Sequence, residues 1–254
     1  MSYSRRKALG FAALAGATLA GLRAAWAMEG DSYDTEAGEI MIHPVRHASF
    51  VMTTPGLVVY SDPVWGAELY DGLPRPGLIL ITHEHKDHFD PETLSALVGE
   101  DTRLVTNPSV HDKLPEALRM KATPLANGES ATAGDIGIEA VPAYNTTPDR
   151  LQYHPKGRDN GYVLTIGGQR IYIAGDTEDI PELRAQEDID IAFVPMNLPY
   201  TMDVEQAASG VAAFAPKVVY PYHYGESDLD AFEKALEASG APTKVVRGAW
   251  YPTS

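Results

Sequence analysis

Leu78-Ile79-Leu80-Ile81-Thr82-His83-Glu84-His85-Lys86-Asp87-His88 runs an uninterrupted apolar stretch straight into three histidines and two carboxylates. Pro76-Gly77 bounds the apolar run, so it predicts a buried strand whose C-terminal end opens on a polar loop. In extended backbone His83 and His85, two apart, face the same side. Two imidazoles side by side can grip one divalent ion, while Asp87 and His88, past the turn, can hold a second. The alternative is a solvated, charge-rich loop. Three histidines in six residues, from a chain that has eight in all, argue against it.

Outward from this segment the chain reads as short strands first and alternating helices later, in each half. On the N-terminal side, strands are predicted at 39–45, 49–53 and 57–61, with Pro55-Gly56 turning between the last two. After it, Asp90-Pro91-Glu92 opens a helix to about Val98, with Asp90 as cap and Pro91 at the first helical position. A strand at 103–106 and one or two short helices after Pro108 follow. The second half offers strands at 136–141, 161–166, 170–174, 189–194, 218–221 and 244–246, with Gly167-Gly168 as a hairpin turn. Asp203 caps an Ala-rich helix to Phe214, apolar at helical spacing, and a second helix spans 229–239. No sequence repeat and no linker separates the halves. Two sheets packed together with helices outside satisfy the pattern as one domain.

The histidine segment resembles the His-x-His-x-Asp-His motif of the metallo-β-lactamase superfamily, and further elements resemble that family in its order. His47-Ala48-Ser49-Phe50 and Ser61-Asp62-Pro63-Val64-Trp65 are similar to early elements of the branch that includes ascorbate-6-phosphate lactonase and the N-acylphosphatidylethanolamine phospholipases. Ala174-Gly175-Asp176-Thr177 resembles the Gly-Asp-Thr whose aspartate bridges two metals, and Pro221-Tyr222-His223-Tyr224 the late strand-end histidine. The resemblance implies an α+β fold, a four-layer αβ/βα sandwich over residues 39–254. It implies two divalent metal ions, zinc first and manganese second, held by His83, His85, Asp87, His88, Asp176 and His223. Asp87 would also orient the attacking water or shuttle its proton.

The chain departs from the family where a further histidine is expected, after the strand ending Val141-Pro142-Ala143-Tyr144. Position 145 is Asn, a poor metal ligand beside imidazole. The nearest histidine is His154, and the loop from Asn145 to Gly161 is expected to fold back and deliver it to the first metal. The other reading leaves His154 on the surface and completes the shell with Asn145 or a water. His47 is expected to face substrate or to support the ligands from behind, unless it is simply bonded under the sheet. Tyr222 is expected to steady the ligand shell around His223, with Tyr220 and Tyr224. The segment 196–200 is the best candidate for a pocket lining, while His43 and His111 read as structural or exposed.

The functional expectation is an exported metal-dependent hydrolase that cleaves an ester, lactone or phosphodiester bond of a small molecule with metal-activated water. A metal-binding protein without hydrolysis on the same scaffold, and a β-lactamase, are the competing readings. Composition narrows the field. With no cysteine there is no disulfide, thiolate nucleophile or iron–sulfur cluster, and any metal site must be built from nitrogen and oxygen. A net charge of −15 argues against a nucleic-acid partner.

Residues 1–27 read as an address. Arg5-Arg6-Lys7, an Ala/Gly-rich apolar stretch from Ala8 to Leu22 and Ala25-Trp26-Ala27 compose a signal peptide of twin-arginine type. The apolar stretch is shorter than the roughly 20 residues a spanning helix needs, so no stable membrane anchor is expected. Cleavage removes four basic residues and no acid, leaving a more anionic periplasmic or secreted protein. Residues 28–38 read as a flexible leader.

Overall fold

The computed structural model describes residues 30–251; the address expected at 1–27 lies outside them. The first sheet has seven strands in chain order. These are β1 (Asp31–Thr35), β2 (Gly38–Arg46), β3 (Ser49–Thr53), β4 (Val58–Ser61), β5 (Leu78–Ile81), β6 (Arg103–Thr106) and β7 (Ala122–Pro124). The second sheet also has seven, again neighbouring in chain order: β8 (Ser130–Ala133), β9 (Ile136–Ala143), β10 (Asp159–Ile166), β11 (Gln169–Ile173), β12 (Ile191–Pro195), β13 (Val218–Tyr222) and β14 (Lys244–Val245). Each sheet begins antiparallel and turns parallel at its fourth strand. Parallel neighbours need long crossovers. Helices α1 (Pro91–Leu97), α2 (Pro108–Lys113) and α3 (Glu116–Arg119) serve the first sheet, and α4 (Pro181–Arg184), α5 (Val204–Phe214) and α6 (Leu229–Ser239) the second.

Alternation along the buried strands sorts side chains into layers. Leu78 and Leu80 point between the sheets, where they join Phe50, Tyr162, Ile173, Phe193 and Trp250. Ile79 and Ile81 point outward beneath Leu94, Leu97, Val110 and Leu118 of the helices. On β12, Ile191 and Phe193 face inward while Ala192 and Val194 meet Val211 and Phe214 of α5 and Phe232 and Leu236 of α6. The result is helix, sheet, sheet, helix: the expected four-layer sandwich. Among the described residues no helix is long and apolar enough to cross a membrane.

The expected leader is in part a strand. Asp31–Thr35 pair antiparallel with β2 through a two-residue turn, Thr35 opposite Gly38. Its alternation is polar because it is an edge strand with one face in solvent. Its buried side is held by polar contacts: Tyr33 Oη lies 2.6 Å from Tyr220 Oη, which donates to Asp31 at 2.8 Å.

Candidate metal centre

The sheets converge at the C-terminal ends of β5, β11 and β13, where backbone polar groups leave the ladders and side chains gather. Thr82 ends β5. Its N–H and hydroxyl donate to Asp62, at the end of the adjacent parallel strand β4, at 2.7 and 2.6 Å. Asp176 leaves β11 through Gly175, at φ +66°, where a Cβ would meet the carbonyl oxygen of Asn160 at 2.7 Å. Glycine is therefore required at that turn. His223 follows β13 at φ +49° and His47 follows β2 at φ +58°, and the His223 N–H donates to the His47 carbonyl at 2.9 Å. Two non-glycine residues in the left-handed region, back to back, are strain of the kind that gathers at functional sites.

Two donor groups result. The first is His83, His85, His154 and Asp176; the second is His47, Asp87, His88 and His223; within each the candidate ligand atoms all lie within 4.8 Å of one another. In the first, His85 Nδ1 lies 3.1 Å from His83 Nε2 and 3.2 Å from His154 Nε2, and Asp176 Oδ2 is 3.3 Å from His154 Nε2. In the second, Asp87 Oδ2 is 3.2 Å from His47 Nε2 and 3.4 Å from His223 Nε2. Asp176 reaches both groups, with Oδ1 3.5 Å from His88 Nε2 and Oδ2 3.2 Å from His223 Nε2.

The far sides of the rings fix their tautomers. His154 Nδ1 faces the Tyr200 carbonyl at 3.2 Å and must donate there. The Thr82 hydroxyl, already donating to Asp62, accepts from His83 Nδ1 at 3.0 Å. His88 Nδ1 lies 2.8 Å from Asp62 Oδ2. Each of these rings thus turns Nε2 to the centre. His88 Nε2, His223 Nε2 and Asp176 Oδ1 are buried there with no hydrogen-bond partner. Buried, unpartnered atoms of two imidazoles and a carboxylate converging on one place suit a cation, so the residues present fit a metal centre.

Electrostatics differ between the groups. Burial, then the neighbouring histidines, holds His83 well below the ordinary imidazole range. Burial and His154 push His85 down to about 4. Burial opposes charge on His88 as well, but Asp176, Asp62 and Asp87 outweigh it and raise His88 to about 10. Asp176 is ionised despite its burial, because His223, His88, His154 and His83 surround it.

The loop between β9 and β10 folds back and brings His154 beside His83, His85 and Asp176, and Asn145 stands behind it. Its Nδ2 donates to the carbonyls of Arg150 and Tyr200 at 3.0 and 2.8 Å, and its N–H to the His154 carbonyl at 2.8 Å. His47 stands in the second donor group, its Nε2 3.2 Å from Asp87 Oδ2, and faces the cavity. The Tyr222 ring is fully buried between the sheets against Phe193 and Trp250, because strand alternation turns it inward, and Asp176 and Asp62 are among the charges around its phenol. Tyr220 spends its hydroxyl on Asp31.

Two residues that hold the donor groups from behind were not singled out by residue spacing. Asp62 was visible only as part of a resemblance. Tyr251, near the chain end, brings its hydroxyl to 2.7 Å from His47 Nδ1 while accepting from the Gly225 N–H. A cavity of about 460 Å³ opens over both groups, and Tyr153, Asn197 and Tyr200 complete its wall, the last two from the 196–200 segment. His43 is buried on β2 and His111 lies on α2, both outside the donor groups.

A family model described as a beta-lactamase superfamily domain matches residues 41–223. A UPF0173 metal-dependent hydrolase from Salinibacter ruber is 28% identical over 214 residues, covering 78% of this chain and 93% of its own. Another from Ligilactobacillus salivarius is 33% identical over 186 residues, covering 70% and 82%. Among solved structures, one assigned as a metal-dependent hydrolase from Parabacteroides distasonis is similar with a TM-score of 0.79 at 45% identity, covering 87% of this chain and 99% of that one. The metallo hydrolase Igni18 from Ignicoccus hospitalis, with a TM-score of 0.68 at 23% identity over 82% of this chain and 94% of its own, shares the fold.

Proposed function

The chain belongs to the beta-lactamase superfamily and is a metal-dependent hydrolase; from that premise we propose that it uses two divalent ions to cleave a small ester, lactone or phosphodiester. The carrying observation is Asp176, one buried carboxylate turned to His88 through Oδ1 and to His154 and His223 through Oδ2. An anion shared by two groups offsets the repulsion between two cations. His83, His85, His154 and Asp176 would hold one ion, and Asp87, His88, His223 and Asp176 the other, with His47 beside it. Zinc suits this nitrogen-rich set best, manganese second. Divalent ions held there supply Lewis acidity and lower the pKa of water so that hydroxide is available near neutral pH.

The remaining work falls to side chains facing the cavity. Asp87, 41% exposed and lying between His47 and His223, can accept a hydrogen bond from a water and pass its proton onward. Asn197, Tyr153 and Tyr200 offer amide and phenol groups that orient the polar atoms of a substrate. The basic, apolar and small-residue pattern of residues 1–27 supports export through a twin-arginine signal to the periplasm or beyond.

Protein folded in the cell should carry two divalent ions per chain. Asp176→Ala should bind fewer than one and lose hydrolysis by more than about 100-fold, beyond the cost typical of an outer partner of a ligand. Two ions retained by the variant, or unchanged hydrolysis, ends the shared-ligand reading. A panel of esters, lactones and phosphodiesters separates the substrate classes, and fractionation of expressing cells tests export.

A further inference from the structure

His154 reaches the centre from a loop rather than from a strand end, and loops hold a geometry only when something ties them. The tie here is Glu178, two residues past Asp176 and fully buried. Its Oε2 accepts the backbone N–H and the hydroxyl of both Thr146 and Thr147, at 2.8 to 3.0 Å. Its Oε1 lies 3.1 Å from Arg150 Nε. Arg150 then ties onward, donating through Nη1 to the Thr201 carbonyl at 2.9 Å and through Nη2 to the Thr147 hydroxyl at 3.0 Å. The Arg150 carbonyl accepts from Asn145, whose other amide hydrogen goes to the Tyr200 carbonyl. That same Tyr200 carbonyl fixes His154 Nδ1.

We propose that Glu178 is a positioning residue for the first metal: it gathers the 145–151 turn so that His154 occupies the place left by Asn145. The proposal rests on the reading of His154 as a metal ligand. A buried carboxylate with this many charge-assisted bonds is a rigid anchor, and the anchored segment connects directly to the ligand. Glu178 touches no candidate ligand atom, so its effect must pass through the loop. The sequence logic is compensatory: with asparagine at 145, the donor must come from nine residues further on, and a longer reach needs a stiffer base.

The test compares wild type, Glu178→Gln, His154→Ala and the double variant, each loaded with cobalt(II) and read by metal content, visible spectrum and thermal unfolding. His154→Ala should weaken one of the two ions and change the cobalt spectrum. Glu178→Gln should weaken the same ion by about 10–100-fold and reproduce that spectrum, and the double variant should be no worse than His154→Ala alone. Normal cobalt affinity and spectrum in Glu178→Gln, with His154→Ala impaired, overturns the positioning role alone. Unchanged metal binding in His154→Ala overturns the ligand reading, and the positioning role with it. A double variant clearly worse than His154→Ala also overturns it, since Glu178 would then act by another route. Should Glu178→Gln fail to fold, Thr147→Val decides: removing one hydroxyl from the anchor should weaken the same ion several-fold, and an unchanged spectrum refutes the proposal.

Discussion

The two donor groups use the same residue types and share Asp176, yet they hold protons in opposite ways. In the first, His83, His85 and His154 crowd one another, and burial with mutual repulsion keeps His83 and His85 neutral. In the second, His88 sits among Asp62, Asp87 and Asp176, which keep a proton on it up to about pH 10. His83 and His85 are therefore in ligand form at neutral pH, while His88 must release a proton before it can ligate. The groups differ in support as well. The first borrows a histidine from an anchored loop; the second is assembled from residues at strand ends and locked from behind by Asp62. Identical chemistry has been given two electrostatic settings by where the carboxylates stand.

The largest expected effect separates the groups outright. Asp62 is fully buried and serves His88 Nδ1 and both donors of Thr82. Asp62→Asn keeps the volume but turns an amide hydrogen toward a donor. It should weaken the ion of the second group by about 10–100-fold and leave the first occupied. Breaking the buried pair should also cost on the order of 3 kcal/mol of stability. Metal content after dialysis, with a denaturant titration, measures both. Loss of both ions together would show that the groups do not behave as separate sites.

How much of this could be read in the sequence follows from how local each piece is. His83, His85, Asp87 and His88 lie within one strand end and its turn, so spacing alone placed them. Asp176 follows a strand and a glycine, but its place at the centre was legible through the resemblance of Gly175-Asp176-Thr177 rather than through spacing. His154 was found by asking which histidine could replace Asn145, but the anchor that brings it, Glu178 with Arg150, depends on a turn packing against a distant strand end. Asp62 and Tyr251 reach the centre through pairing of β4 with β5 and through the chain end folding back to Gly225, which no local pattern encodes. Tyr222 and His223 are neighbours that part company where the strand ends: Tyr222 keeps the inward phase while His223 turns at positive φ. The β1 strand was hidden by the polar alternation of an edge.

A smaller effect sharpens the electrostatic contrast. Metal binding at His88 should release about one proton at pH 7 to 8, whereas His83 and His85 have none to release. The affinity of the second should accordingly rise toward pH 10, by about tenfold per pH unit from His88 alone, and more steeply than that of the first. Calorimetric titration of the metal-free protein in buffers of different ionisation enthalpy reads the protons directly. The same linkage has a sign in stability. A histidine raised above its unfolded value contributes stability that is complete below pH 6.5 and lost as pH rises through about 10. The metal-free protein should therefore weaken between neutral pH and pH 10. Equal proton release from both groups would erase the distinction.

The smallest effect concerns the outer wall of the second group. Tyr251 holds His47 Nδ1 through its hydroxyl and accepts from the Gly225 N–H, two residues beyond His223. Its ring also packs edge-on against Tyr224 and His47, so removing the hydroxyl alone leaves the packing in place. Tyr251→Phe should cost about 1 kcal/mol, the net worth of such a hydrogen bond. It should lower hydrolysis only a few-fold, because His47 stays confined by Trp65 and His223. If His47 merely flanks the second metal, metal content should not change in the variant, and the loss should appear in turnover alone. If His47 is a ligand whose orientation Tyr251 fixes, the second ion should weaken together with turnover, which would make that group five-membered when Asp176 is counted. Metal titration of Tyr251→Phe beside wild type distinguishes the two arrangements.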